Sequence, residues 1–240
     1  MKRRIHVAQN ILRVIIHTPQ QKSLEHTSKI DISKVSYWKV WRGSEIVKSL
    51  VRGTHEHGYG VIDAFKYFFV AYGAWILGFT QMRKVIAVDG TSLRSKYGDV
   101  LLSAVAQDAE NHIFPVAFCV VDSECDASYR YFLKQLRSFV LDTPELCIIS
   151  DRHQSIGKMI SIVFPSAHYG YCMRHLGENI RNNFHNASVV RHFYNVAKAY
   201  NIDVFSDHFN QIRDLVSQAA THLERVGFHR WSRTFFPGNR

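Results

Sequence analysis

The sequence predicts an α/β domain built on a mixed five-stranded sheet with flanking helices. Three observations predict it. Between residues 84 and 172, short apolar runs and helically spaced stretches alternate in the order βββαβαβ. The first three runs are joined by short polar segments, which suggests an antiparallel meander. Hydrophobic residues make up 46% of the chain, enough for a substantial core and too many for a disordered chain. A mixed sheet covered by helices is the economical packing of that order.

Val85-Ile86-Ala87-Val88 is a β-branched run that ends in Asp89-Gly90-Thr91. Leu101 to Ala106 is the second strand, and the polar stretch Gln107 to Asn111 is the turn after it. Ile113 to Val121 is the third, where Pro115 suggests an edge or a bulge. A helix then carries Phe132, Leu133, Leu136, Phe139 and Val140, with Asp126 or Ser128 as its cap and Asp142-Thr143-Pro144 as its stop. Leu146 to Ser150 is the fourth strand and ends at Asp151. The next helix carries Ile156, Met159, Ile160 and Val163 and stops at Pro165, and Ala167 to Tyr171 is the fifth strand.

Both flanks read as helical. The spacing divides the chain into a helical region over 1–80, a core over 84–185 and a helical segment over 186–240. In the first region, Ser33 or Ser36 caps a helix that ends near Gly53 and sets Trp38 and Trp41 on one face. In the last, Val189, Val190, Phe193, Val196, Ala197 and Tyr200 form one stripe; Phe205, Phe209, Ile212, Val216 and Ala219 form another.

Charge and composition narrow the partners. A formal net charge of +10, with fourteen His besides, favours polyanions, and nucleic acid is the commonest. The four Cys form no CxxC pair, so a disulfide framework is not expected. Met1-Lys2-Arg3-Arg4 opens like a signal peptide, but His6, Gln9, Asn10, Arg13 and His17 break up the apolar stretch that a signal peptide requires next. No apolar run reaches the length of a membrane span.

Two carboxylates stand out for chemistry. Asp89 comes directly after the first core strand and Asp151 after the fourth. Strand ends are rigid supports for a site, and if the two strands are neighbours the carboxylates converge as hard oxygen ligands for Mg²⁺ or Mn²⁺. On pattern alone, an aspartate after a strand equally well caps a turn.

Longer stretches carry a resemblance. Val85 to Leu93 is similar to the opening of the Mutator-like (MULE) transposase domain of plant type. So are Leu102 to Asp108, Ile113 to Phe118, Ser128 to Leu133, Ile149 to Arg152 and Tyr171-Cys172-Met173-Arg174-His175-Leu176, in the family's order and approximate spacing. The tail Trp231 to Phe236 resembles the family's helical segment. The resemblance implies an RNase H-like fold, a DDE triad with Mg²⁺ or Mn²⁺, and cleavage and joining of double-stranded DNA at terminal inverted repeats, in the nucleus. Asp89 and Asp151 match the first two acids. The third, a glutamate, lies beyond a segment like Phe236 to Arg240, so no residue of this chain matches it, and the chain by itself is expected to be inactive. Glu224 lies too early and reads as a solvated helix residue.

Other residues join the candidate site. Cys172 and His175 form the family's CxxH signature; they offer a thiolate and an imidazole to Zn²⁺, but a structural site needs four ligands, and His168, His185 and His192 have no convincing spacing. Arg152 and His153 can meet a phosphate. Glu124 either approaches the metal or serves as a helix-terminal charge. Lys158, Arg174, Arg181 and Arg191 are candidates for a basic face along DNA. Self-association is left open. The alternative function is a domesticated or decayed relative, a DNA-binding regulator of the far-red-impaired type.

Overall fold

The N-terminal part of the chain builds strands where its spacing predicts helices. The computed structural model describes residues 11–17, 24–29, 67–93 and 99–237. Within its first 80 residues lie β1 (Ile11–His17), β2 (Leu24–Lys29) and β3 (Tyr67–Tyr72). The described helix there is α1 (Gly73–Phe79), and the helix expected from Ser33 or Ser36, with Trp38 and Trp41, falls outside the described residues. The physical reason for the correction lies in the residue types. Ile11 to Ile16 and Tyr67 to Val70 are rich in β-branched and aromatic side chains, which fit a pleated surface better than a helix. The long apolar run after Phe65 is therefore a strand and then a helix, divided at Gly73.

The five expected core strands are all present: β4 (Val85–Ser92), β5 (Val100–Gln107), β6 (Ile113–Val121), β7 (Cys147–Ser150) and β8 (His168–Tyr171). The sheet is larger than expected, because β3, β1 and β2 extend it to eight strands in the order β2-β1-β3-β6-β5-β4-β7-β8. An antiparallel β4-β5-β6 meander lies on one side of β4, and β7 and β8 run parallel to β4 on the other. Pro115 does mark an irregularity. The register slips where Ala104 faces Ala117 but Val105 faces Pro115, and β3 covers β6 only from Phe118 onward. The proline, which has no N–H to donate, sits in the half of β6 with an open edge.

One face of the sheet carries the main core. Helices α2 (Asp126–Arg137) and α3 (Gln154–Val163) lay Phe132, Leu133, Ile156 and Met159 over Ile86, Val88, Leu102 and Ile148, all essentially sealed from water. Two details of α2 differ from expectation. Its N-cap is Cys125, without a side-chain hydrogen bond, while Asp126 and Ser128 lie inside the first turn. Asp126 there suits the positive end of the helix dipole. The helix also ends at Arg137, so Phe139 and Val140 lie in the turn beyond it. There Arg137 pairs with Asp142 at 3.4 Å and donates to the Val163 carbonyl, which ties the two helix ends together.

The C-terminal part is helical as expected. It holds α4 (Met173–Phe184), α5 (Ala187–Lys198), α6 (Ile202–Leu215), α7 (Ser217–Val226) and α8 (Phe228–Trp231). A second core gathers Leu176, Ile180, Val189, Phe193, Phe209 and Trp231, so α4 packs with these helices and the second core begins before residue 186. The predicted stripes hold except at their ends. Tyr200 is exposed beyond α5, and Val216 breaks the second stripe between α6 and α7. Glu224 lies on α7 and pairs with Arg213 at 2.9 Å. No described helix is long and apolar enough to cross a membrane.

Candidate active site

The candidate site begins with strand register. Parallel pairing of β4 with β7 sets Val88 opposite Ser150, so the next residues, Asp89 and Asp151, lie side by side where the strands part. Alternation along β4 turns Ile86 and Val88 into the main core and Asp89 to the opposite face. There the Asp89 carboxylate lies 3.9 Å from Arg174 on α4 and accepts the Gly90 N–H at 3.1 Å. Partial burial is the main force raising the Asp89 carboxyl above its ordinary range. The charge of Asp151 adds to the rise, while His175, Arg174 and the Gly90 N–H oppose it.

A further carboxylate stands close by. A Cβ on Gly90 would come within 2.7–2.9 Å of the Glu124 carboxyl, so Glu124 occupies the space that glycine leaves free. Tyr129 of α2 donates to Glu124 at 2.6 Å. Burial, then Glu124, Asp151 and Asp89, hold the Tyr129 phenol far above its ordinary range, so it stays a donor. Glu124 thus lies behind Gly90, on the sheet face opposite Asp89, and with Asp89 and Asp151 it forms no group able to hold a metal.

Asp151 is braced from behind. Its carboxylate accepts the His153 N–H at 3.2 Å, and its own carbonyl accepts from Ser150 at 2.7 Å and from Tyr169 at 3.2 Å. Gly157 on α3 leaves room for the Tyr169 ring, since a Cβ there would lie 3.1 Å from it. Burial pushes the Tyr169 phenol up to about 12. Neither Ser150 nor Tyr169 carried a signal in the sequence, because their contact depends on the β7–β8 pairing. Tyr129 was not singled out either; its partner Glu124 lies five residues earlier, at the entry to α2.

The remaining candidates divide. Arg152 and His153 come directly after Asp151; Arg152 lies 3.5 Å from His222 on α7, whose pKa is lowered by burial and then by that cation. Cys172 caps α4 and its N–H continues the β7–β8 ladder to the Ser150 carbonyl at 2.7 Å. His175 sits in the next turn. Its Nε2 accepts from Arg174 at 2.6 Å, and its buried Nδ1 has no hydrogen-bond partner among the described residues. Among the described residues, no three His, Cys, Asp or Glu side chains form a group able to hold a metal, so His168, His185 and His192 do not complete a zinc site with Cys172 and His175. His192 instead lies 3.3 Å from His208. Of the candidates for a basic face, Arg174 is engaged by Asp89 and Glu178, and Lys158 is paired with Asp126. Arg181 and Arg191 are exposed on α4 and α5.

Compared with known proteins, residues 85–179 match the family described as the MULE transposase domain. That stretch runs from β4 through the first part of α4 and holds Asp89, Glu124, Asp151 and the CxxH pair. No curated protein matches the chain.

Proposed function

We propose that this chain, which carries a Mutator-like transposase domain over residues 85–179, is transposase-like, built for metal-dependent cutting and rejoining of double-stranded DNA at terminal inverted repeats in the nucleus, with Asp89 and Asp151 to hold Mg²⁺ or Mn²⁺, and is inactive by itself. The observation that carries the reading is the β4–β7 register, which sets the two carboxylates side by side. The strand order supports an RNase H-like architecture: a first strand at the centre, its meander on one side and two parallel strands on the other.

The donor set fits such an ion. Asp89 and Asp151 offer hard oxygens on rigid strand ends, and the charge of Asp151 helps to raise Asp89. A divalent cation there stabilises charge on the scissile phosphate and acidifies the attacking water. The protein's own residues do the rest. Ser150 and Tyr169 hold the Asp151 backbone, and Tyr129 holds Glu124 in reserve as a further carboxylate. Arg174 balances part of the Asp89 charge and has to yield when a cation arrives.

A second reading is a DNA-binding relative without catalysis. The lack of a three-ligand metal group among the described residues favours it. Calorimetry with Mn²⁺ separates the two. Weak saturable binding by the wild-type chain, lost in Asp151→Asn, is expected, and equal heats from both proteins would sink the metal site. On a labelled terminal-repeat duplex, two well-placed acids without a third leave the attacking water badly positioned, so no cleavage is expected from the 240-residue chain. Cleavage that disappears in Asp89→Ala would bring Glu124 in as the third ligand.

A further inference from the structure

Beside the carboxylate pair lies a cavity of about 580 Å³ to which no role has been given. Its wall starts at Arg152 and His153, immediately after Asp151, runs along α3, and is closed by β8 and the turn that carries His229 and Arg230. Three of its lining residues are Arg or Lys, three are His, and none is Asp or Glu. The volume falls within the range of small-molecule sites and exceeds what an inorganic anion fills.

Two features of the wall point to a ligand with both charge and a flat face. The Arg230 guanidinium lies over the rings of Tyr169 and Tyr171, 5.5 and 5.9 Å from their centres, and those two rings meet edge to face at 84°. Arginine planes and aromatic rings are the surfaces on which unpaired bases stack. Arg152 has a buried Nε donor that no described group of the chain accepts. Lys158, already paired with Asp126, adds positive potential at the rim more than a free donor.

We propose that this cavity takes one unpaired nucleotide of a DNA strand, its phosphate met by Arg152 and its base stacked on the Arg230 guanidinium beside Tyr169 and Tyr171. DNA as the ligand rests on the function proposed above. A strand that passes Asp151 reaches Arg152 at the next residue, so the cavity is set to receive a nucleotide next to the one being cut. A base enters such a space only once it has left its stack, which confines the site to melted or flipped positions.

The test uses the 240-residue chain and a fluorescent pentathymidylate, with and without an abasic central position, in EDTA. Without metal, failure of the carboxylate site leaves this readout standing, so the two ideas fail separately. Removing the base is expected to weaken binding by about tenfold, and Arg230→Glu by at least about tenfold. A strand with 5-iodouracil at the centre should crosslink to the peptide holding Tyr169 and Tyr171 or to that holding His229. Equal affinity for the intact and abasic strands, or crosslinks confined to other surfaces, would overturn the proposal. If Arg230→Glu does not fold, as judged by its thermal melt, the abasic comparison and the crosslink on the wild-type chain still decide.

Discussion

Asp89 shows how a candidate site residue costs stability. Burial first, and then the charge of Asp151, raises its carboxyl in the folded chain above the unfolded value. The folded state therefore binds the proton more tightly. Stability is lost as pH rises through the window between the unfolded and folded values, and at neutral pH the loss is complete. Asn imitates the protonated form. Asp89→Asn is expected to raise the melting temperature at pH 7 by on the order of 1–3 °C, a modest figure because the carboxylate is partly exposed. The gain should disappear below about pH 4, where both side chains are neutral. Equal or lower melting of the variant at pH 7 would contradict this account. Such a gain on removing a charge is the expected signature of a site kept for chemistry.

Among the elements, the contact between α4 and α5 depends on one missing atom. Gly177 sits in mid-helix, where alanine ordinarily adds about 1 kcal/mol. Here a Cβ would lie 2.5 Å from the Tyr194 hydroxyl and 2.8 Å from its ring, so the helix propensity is outweighed by overpacking. Gly177→Ala is expected to destabilise the chain by about 1–2 kcal/mol in urea unfolding. Adding Tyr194→Leu should recover part of that loss, since the smaller side chain vacates the space. A stabilised single variant would mean that the tyrosine moves aside freely. β8 shows a similar fit: the Cβ that Gly170 lacks leaves room for Phe236 and the Arg230 carbonyl over the face of the strand.

For the whole molecule, the net charge of +10 would dominate the proposed encounter with DNA. The exposed Arg181 and Arg191 on α4 and α5 and the cavity beside Asp151 all present positive charge. Binding to duplex DNA is expected to depend little on sequence and to weaken by about tenfold or more between 50 and 200 mM salt, as displaced counterions regain their entropy advantage. Affinity that stayed level across that range, measured by fluorescence anisotropy, would show that the charge is not directed at phosphates.

Much of this was legible in the order of residues. Val85 to Val88, Leu101 to Ala106 and Leu146 to Ser150 reveal their strands because β-branched runs between turns have a local signature. The stripes of α3, α5 and α6 arise from helical spacing, and Asp89 and Asp151 were readable as strand-end acids. The N-terminal strands were not legible, because short apolar runs look alike as helix or strand until a sheet edge claims them. Nor was the company that Asp89 keeps. Its neighbours come from Asp151 after β7 and from Arg174 and His175 on α4, each brought in by backbone pairing or packing between distant segments. Periodicity reports which way a side chain faces; it carries no information about what another part of the chain sets before it. By itself the sequence determined the core elements and the two acids, and only the tertiary structure decided that they form a pair, with a basic cavity behind it.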